Sequence, residues 1–358
     1  MADRFILILA GGRGERFWPW STPQRPKQLL PLAAGGRTLL AATLERAMTL
    51  APAERIVVLT ARDLEAAVRR ESPSGVQVIG EPVGRNTAPA IGAAAVWFAA
   101  LSREASFAVM PSDHAIERTA DFRADLERAF AFAEKESALI TFGIPPTGPD
   151  TNFGYIKRGT RAGERLFRVA AFAEKPDRAT AEGYLASVLY TWNAGIFVWR
   201  ASVFLDQLRA RRSDVAAPVE RIVAAWDTAD SVLDELWPTV PKVAVEYAVL
   251  EPASLEGLVS TVPGDFGWSD IGDFETIGAL LGHDVAGVTA IGDAPVLNLD
   301  SDGVVAVPSE GRLLALLDVH DLIVVDTPDA VVVCRRDRAQ DVKRLTELLR
   351  ERGLADWG

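Results

Sequence analysis

A glycine-rich basic loop stands near the start of the chain, in the segment LAGGRGERFWPWSTPQRPKQLLPL. Its glycines are Gly11, Gly12 and Gly14, and its cations are Arg13, Arg16, Arg25 and Lys27. Glycines let backbone N–H groups approach a phosphate closely, and flanking cations can neutralise its charge. The loop lacks the Gly-Lys-Ser/Thr ending of a P-loop and does not follow the dinucleotide-binding spacing. These residue types indicate a polyphosphate site, such as one for a nucleoside triphosphate.

Further polar residues follow predicted strands or turns. In VMPSDHAI, the apolar run ending at Met110 leads into Ser112 and Asp113. A carboxylate in this position can hold Mg²⁺, which prefers oxygen ligands and takes few protein carboxylates beside phosphate oxygens, although a lone aspartate in a turn is often only a cap. In EPVGRNTAPAIG, a polar turn enters a helix with Pro89 near its first turn, and such an entrance can hold an anion or merely cap the helix.

The elements that must position these residues have repeated βα order over the first 144 residues. Apolar runs such as FILILA, RIVVLT and FAVMP alternate with predicted helices, which lie near 39–50, 63–71, 88–102 and 121–137. Strands that are apolar on both faces favour a mainly parallel sheet covered by helices, with ligands at the carboxyl ends of the strands. From about 150 to 200, short extended pieces predict an antiparallel, substrate-side extension.

The pattern changes after about residue 284. Short Val/Leu strands separated by turns follow one another, and a charged helix is predicted from Arg338 to Gly353. We therefore predict an α/β catalytic domain over 1–283 and a small C-terminal β domain over 284–358.

Composition excludes several classes of protein. The net charge of −11 disfavours nonspecific nucleic-acid binding. No apolar run approaches the roughly 20 residues that span a bilayer, and no cleavable signal is recognised, so neither a membrane nor a nucleic acid is an expected partner and the cytoplasm is the expected compartment. The single cysteine, Cys334, lies in an apolar run and is interpreted as an inert thiol. Three histidines without ligand spacing argue against a structural zinc site.

The whole loop is more specific than its parts. Gly-Gly-x-Gly-x-Arg-Phe-x-Pro-x-Ser followed by Arg-Pro-Lys-Gln resembles the signature of sugar-1-phosphate nucleotidyltransferases, in the version used by mannose-1-phosphate guanylyltransferases. Later segments are similar to further blocks of that family, in the same order: EPVGRNTAPAIG, NFGYIKRG, FAEKPD, TWNAGIFVW, VEYAVLE and FGWSDIGDF. The resemblance covers roughly residues 3 to 280, and the β-rich tail is also similar. Glu15 and Glu246 stand where the family usually has Thr and Asp, and we expect Glu15 to point away from the triphosphate.

The resemblance implies a Rossmann-like fold, that of nucleotide-diphospho-sugar transferases, with a partial left-handed β-helix that supports a homodimer. It implies Arg16 and Lys27 as catalytic residues, and Asp113 and Asp270 as ligands of Mg²⁺. The implied nucleotide-binding residues are Ala10, Gly11, Gly12, Arg13, Gly14, Glu81, Arg85, Asn86, Thr87 and Ser112. The implied sugar-phosphate-binding residues are Gly154, Tyr155, Glu174, Lys175, Asn193, Gly195 and Glu246.

The implied reaction converts GTP and mannose 1-phosphate to GDP-mannose and pyrophosphate. The nearest alternative is the same chemistry on another pair, such as glucose 1-phosphate with UTP or dTTP. A noncatalytic nucleotide-sugar sensor and a Rossmann dehydrogenase are the alternatives from other classes.

Overall fold

The computed structural model of the chain describes residues 3–226, 230–282, 284, 287–354 and 357. The strands are β1 Arg4–Ala10, β2 Ile56–Ala61, β3 Gln77–Glu81, β4 Ser106–Pro111, β5 Ala115–Ile116, β6 Leu139–Ile144, β7 Tyr155–Gly163, β8 Leu166–Ala173, β9 Tyr190–Arg200, β10 Val259–Pro263, β11 Trp268–Ser269, β12 Val288–Ala290, β13 Val296–Leu299, β14 Val304–Val307, β15 Leu314–Leu317, β16 Leu322–Asp326 and β17 Val331–Arg335. The α-helices are α1 Leu39–Met48, α2 Glu65–Glu71, α3 Thr87–Leu101, α4 Thr119–Ala133, α5 Arg178–Ala186, α6 Ala201–Arg211, α7 Ser213–Ala225, α8 Asp230–Leu236, α9 Glu251–Leu255, α10 Phe274–Leu281 and α11 Val342–Glu351. None of these helices combines the length and apolar character that crossing a bilayer requires.

The chain folds into two compact units that are discontinuous in sequence. Unit 1 comprises Met1–Gly11, Thr43–Ser112 and Ile116–Trp268, and unit 2 comprises Gly12–Ala42, Asp113–Ala115 and Ser269–Gly358. The glycine-rich loop therefore folds with the C-terminal segment, although it directly follows the first strand. The predicted division of the chain into domains 1–283 and 284–358 concerns consecutive segments of sequence, which these discontinuous units do not test. It stays a prediction.

Unit 1 is built on a nine-stranded sheet in the order β3-β2-β1-β4-β9-β6-β10-β8-β7. The first four strands are mutually parallel, and Ile8 of β1 lies between Val58 of β2 and Met110 of β4. Strands β1, β2 and β4 are buried on both faces because helices cover the sheet, whereas β3 lies at its edge and is only partly buried. Helices α3, α6 and α7 share one large apolar core with the sheet. The predicted Rossmann-like α/β fold is confirmed.

The antiparallel extension predicted for residues 150 to 200 is confirmed as β7, β8 and β9. Strands β7 and β8 pair antiparallel, and β9 pairs antiparallel with β4, β6 and β7. Strand β9 thus lies inside the sheet, between β4 and β6, and runs antiparallel to both. It brings the segment around Asn193 to the strand that follows Gly154.

The predicted helices differ at their ends from the helices of the structure, and three of them begin at clearly different residues. Helix α2 begins at Glu65 because Arg62–Leu64 form a 3₁₀ turn, and α4 covers Thr119–Ala133 rather than 121–137. The C-terminal helix α11 begins at Val342 because Arg336–Asp341 form a 3₁₀ helix that buries Ala339. Helix ends depend on local caps, which apolar periodicity does not reveal.

The C-terminal part of unit 2 contains two sets of parallel strands that alternate along the chain. Strands β12, β14 and β16 pair parallel and are joined by antiparallel β17, while β13 pairs parallel with β15. Alternation of this kind is typical of the rungs of a β-helix, so the predicted β domain is confirmed. Its left-handed coil stays a prediction.

Candidate active site

Gly14 brings the glycine-rich loop against Lys27. Its φ is 65°, and a Cβ at this position would lie 2.5 Å from the Lys27 Cβ and 2.8 Å from the Lys27 backbone nitrogen. Only glycine fits both the left-handed conformation and this close approach. The carbonyl of Gly14 accepts hydrogen bonds from the Ser21 hydroxyl, at 2.6 Å, and from the Phe17 amide, at 2.9 Å.

Lys27, Asp113 and Asp270 lie together in unit 2. The Lys27 side chain is buried, and its Nζ donates to Asp113 Oδ2 at 2.8 Å and to the main-chain oxygen of Asp270. Burial alone would raise the pKa of Asp113, but the charges of Lys27 and His114 and the hydrogen bond from Lys27 outweigh it, so the pKa lies below its usual value. Asp113 is therefore ionised at neutral pH.

The chemistry of this group of residues fits a hard divalent cation. Asp113 is ionised and its side chain is one third exposed, and Asp270 joins it through Lys27. Within the part of the chain that the structure describes, no three Asp, Glu, His or Cys residues gather into a complete ligand set. A cation held by two carboxylates would use substrate oxygens as well, as Mg²⁺ commonly does.

The loop cations lie around a short 3₁₀ turn, Glu15–Phe17, which carries the partly buried Arg16. Arg13 is exposed and donates at 3.5 Å to the carbonyl of Pro23. Glu15 forms an ion pair with Arg350 of α11. The carboxylate of Glu15 therefore has its own cation. That it points away from a triphosphate stays a prediction.

The predicted nucleotide-binding residues of unit 1 lie at strand ends and at the start of α3. Ala10 is the last residue of β1, and Ser112 directly follows β4. The Ala10 carbonyl accepts from Thr60 Oγ1 at 2.9 Å, and the Ser112 amide donates to the Leu9 carbonyl at 3.0 Å. Glu81 ends β3, and burial raises its pKa to about 7.

The entrance to α3 is fixed by side chains of the same segment. Asn86, with φ of 67°, caps the helix by accepting from the Thr87 amide at 2.8 Å. Thr87 Oγ1 accepts from the Val245 amide at 2.8 Å. Arg85 donates through Nε to the carbonyl of Trp237, at 3.3 Å, and through Nη2 to that of Pro238. The guanidinium of Arg85 thus holds the backbone beside the helix entrance.

The predicted sugar-binding residues converge in unit 1. The Asn193 amide donates to the Gly154 carbonyl at 2.7 Å, and Asn193 Oδ1 accepts from Thr141 Oγ1 at 2.7 Å. Gly195, with φ of 67°, directs its amide to the same Oδ1 at 3.3 Å, and Tyr155 is buried with its hydroxyl on the Asp150 carbonyl at 2.9 Å. These bonds use the backbone amide and the side-chain oxygen of Asn193, so its side-chain nitrogen is the remaining polar group.

Glu174 is a buried carboxyl group with one unused oxygen. Its side chain is 8% exposed, Lys175 Nζ lies 3.6 Å from Oε1, and Oε2 has no hydrogen-bond partner. A Cβ at Gly154 would collide with Oε2, so glycine there leaves the carboxyl its space. Such a buried oxygen is costly unless a ligand hydroxyl pairs with it.

The electrostatics of this cluster follow from two carboxyl groups that share one lysine. Burial, and then the charge of Glu246, raise the pKa of Glu174 to about 7, against the opposing effect of Lys175. Burial also raises the pKa of Glu246, while Lys175 and a hydrogen bond with Thr87 act in the other direction. The segments around Thr87, Glu174 and Glu246 are therefore one connected polar cluster.

Two residues of these networks were missed by reasoning from the sequence. Thr141 orients Asn193 from the middle of β6, and nothing in the run LITFGI signals this role. Arg350 pairs with Glu15 across 335 positions of sequence, and the unusual glutamate is the one signal that could have prompted a search for a cation.

Comparison with known proteins identifies the family of the chain. Residues 6–281 match the nucleotidyl transferase family, and residues 295–349 match the MannoseP isomerase/GMP-like beta-helix domain. The chain is 38% identical over 365 residues to the Xanthan biosynthesis protein XanB of Xanthomonas campestris pv. campestris. The aligned region covers 99% of this chain and 75% of that protein.

Two further relatives are similar over nearly the whole chain. The mannose-1-phosphate guanylyltransferase of Klebsiella pneumoniae is 35% identical over 360 residues, covering 98% of this chain and 75% of the relative. A crystal structure from Thermus thermophilus, described as a mannose-1-phosphate geranyltransferase, superimposes with a TM-score of 0.87 at 33% identity, covering 97% of this chain and 99% of the other. The chain belongs to the nucleotidyl transferase family and, within it, to the mannose-1-phosphate guanylyltransferases.

Proposed function

We propose that the chain transfers GMP from GTP to α-D-mannose 1-phosphate, forming GDP-mannose and pyrophosphate. The observation that carries this proposal is the buried Lys27, which lies against the loop at Gly14 and bonds to both Asp113 and Asp270. A cation flanked by two aspartates beside a glycine-rich loop suits a triphosphate. The identities of the nucleotide and the sugar are inferred from similarity to the mannose-1-phosphate guanylyltransferase of Klebsiella pneumoniae.

The reaction needs charge neutralisation and alignment more than acid–base chemistry. A phosphate oxygen of the sugar attacks the α-phosphorus in line, a new P–O bond forms, and the bond to the β-phosphate oxygen breaks to release pyrophosphate. The nucleophile is already an anion, so no general base is required. Lys27 and Arg16 would stabilise the charge that gathers on the departing pyrophosphate, with Ala10, Gly11, Gly12, Arg13 and Gly14 providing the loop around it.

A divalent cation, which we propose is Mg²⁺, would be held by Asp113 and Asp270 and would, when bound, draw charge from the reacting phosphates. Lys27 keeps these two residues together by bonding to the carboxylate of one and the carbonyl of the other. The depressed pKa of Asp113 keeps its carboxylate charged for this task.

The polar cluster of unit 1 suits a sugar with several hydroxyl groups. Glu174 offers its unused Oε2, Asn193 its side-chain nitrogen, and Lys175 a cation for the sugar phosphate. Gly154, Tyr155, Gly195 and Glu246 shape or complete this cluster. Glu81, Arg85, Asn86, Thr87 and Ser112 remain the proposed nucleotide-binding residues, with the entrance of α3 favouring guanine through its resemblance to the family segment.

The decisive experiment measures pyrophosphate release from a panel of nucleoside triphosphates and sugar 1-phosphates. GTP with mannose 1-phosphate should be the best pair. UTP or dTTP with glucose 1-phosphate as the best pair would instead support the alternative nucleotidyltransferase.

The Lys27→Ala and Asp270→Asn variants should lose turnover by at least about 100-fold, because each removes charge or a ligand at the reacting phosphates. Lys135→Ala, which removes an exposed lysine, should behave as the wild type. Near-normal rates in either site variant, with circular dichroism unchanged, would overturn the assignment.

We also propose a homodimer that works in the cytoplasm. The outward face of the β13–β15 pair exposes Leu297, Leu299 and Leu317, and an apolar row of this kind is typical of a surface covered by another protein. Light scattering at micromolar concentration should give twice the chain mass, and cell fractionation should recover the protein with soluble cytoplasmic enzymes.

A further inference from the structure

The C-terminal helix α11 contacts the part of unit 2 that carries Arg16. Arg350 of α11 forms an ion pair with Glu15, and the indole Nε1 of Trp18 donates to the Trp357 carbonyl at 2.7 Å. Phe17 is almost fully buried in an apolar cluster that also contains Val342, and Leu349 packs against it. The 3₁₀ turn is therefore held on both sides of Arg16.

These contacts fix the 3₁₀ turn, whereas the first two glycines of the loop are not held by packing. Gly11 and Gly12, which precede the turn, are exposed and have open space around them. An exposed ion pair by itself stabilises a fold only slightly, so its effect on global stability should be small. The same ion pair can affect activity more strongly, because it fixes the direction of the neighbouring Arg16 side chain. Catalysis is sensitive to small displacements of charged groups.

Arg350 also compensates a charge that the reaction disfavours. Glu15 is an acidic residue within a run that otherwise offers glycines and cations to a polyphosphate. With Arg350 on its carboxylate, that negative charge is neutralised within unit 2. Without the arginine, the carboxylate would repel a triphosphate held by the same loop.

We propose that Arg350 is a positioning residue for nucleotidyl transfer: acting through Glu15, it holds Arg16 in place and keeps the Glu15 carboxylate off the triphosphate. This rests on the proposed function, in which Arg16 and the glycine-rich loop bind GTP. Helix α11 is then part of the catalytic apparatus, although it is remote in sequence and supplies no group to the substrates.

The test compares four variants of the full chain: Arg350→Glu, Glu15→Arg, the double exchange, and Arg344→Glu. Arg344 is a matched control because it lies exposed on the same helix and pairs only weakly with Asp341, at 3.6 Å. Arg350→Glu should lower kcat/KM for GTP by about 10-fold while the KM for mannose 1-phosphate stays within about twofold. The double exchange should recover most of the loss, and Arg344→Glu should match the wild type.

Equal behaviour of Arg350→Glu and Arg344→Glu, or a double exchange whose losses simply multiply, would overturn the proposal. Hydrogen–deuterium exchange of residues 12–24 provides a second measurement that needs no turnover: exchange should accelerate in Arg350→Glu at an unchanged melting temperature, and unchanged exchange counts against the proposal. If Arg350→Glu has a lower melting temperature than the wild type, Arg350→Gln is measured in its place, and the same outcomes support or overturn the proposal. A wild type that releases no pyrophosphate defeats the proposed function, whereas the exchange data still decide the contact.

Discussion

Gly14 shows how one residue can fix the position of Lys27, the lysine proposed to be catalytic. An added methyl group would be strained at φ of 65° and would press on the backbone of Lys27. We expect Gly14→Ala to cost about 1–2 kcal/mol of stability and to lower kcat/KM by about 100-fold, because Lys27 would be displaced.

Gly35→Ala is the matched control for this prediction. Gly35 has a similar φ of 74° but open space around it, so the variant should share the backbone strain and keep its activity within about twofold. Urea unfolding and steady-state kinetics measure the two effects. Equal kinetics in both variants would mean that the contact with Lys27 is unimportant.

The buried Glu174 predicts a pH dependence of stability. Its pKa is raised from 4.5 to about 7, so between these pH values the folded chain binds more protons than the unfolded chain. Stability conferred by this group therefore falls as pH rises through that window and stays low above it. Glu174→Gln removes the effect, and its free energy of unfolding relative to wild type should rise by up to about 3 kcal/mol from pH 4.5 to pH 8. Parallel stability curves for the two proteins would contradict this.

At the scale of elements, the start of α3 is tied to the segment that carries Glu246. Thr87 Oγ1 is the acceptor for the amide of the fully buried Val245. Thr87→Val should leave that amide unpaired, lower the free energy of unfolding by about 1–3 kcal/mol and raise the KM for mannose 1-phosphate. Thr87→Ser keeps the acceptor and serves as control in denaturation and kinetic assays. A valine variant as stable and as active as the serine variant would rule out this coupling.

Elements also show what the sequence could and could not predict. Strands β1, β2 and β4 were predictable because they are apolar on both faces. Asp113 was correctly expected shortly after a strand, and Glu81 at the end of one. The insertion of β9 between β4 and β6 was not, because pairing partners far apart in sequence leave no local pattern. The same holds for Thr141 with Asn193 and for Arg350 with Glu15, and the unused oxygen of Glu174 depends on packing that only the fold supplies.

At the scale of the whole molecule, the loop and the C-terminal segment form one unit with one core. Phe17, Trp18 and Leu30 share an apolar cluster with residues from Ile271 to Val342. A fragment of residues 1–283 would expose much of that cluster, at about 1.5–3 kcal/mol for each large side chain.

We expect this fragment to aggregate or to lose GTP-dependent turnover, as judged by size-exclusion chromatography and pyrophosphate release. Co-expression of residues 284–358 should restore part of the activity, whereas an unrelated β domain should not. A monodisperse fragment with full turnover would show that the loop holds its shape without the C-terminal segment.

The discontinuity of unit 2 has a consequence for how the chain is made. Residues 12–42 leave the ribosome before unit 1 is complete, but Val342 and Leu349, which pack in the same cluster as Phe17, are translated after the whole of unit 1. Until then the nascent chain carries an unassembled loop with apolar residues exposed, a condition that invites chaperone binding or aggregation. Nucleotidyl transfer would begin only after translation has passed α11, so a stop codon just before α11 would be as damaging as one within unit 1.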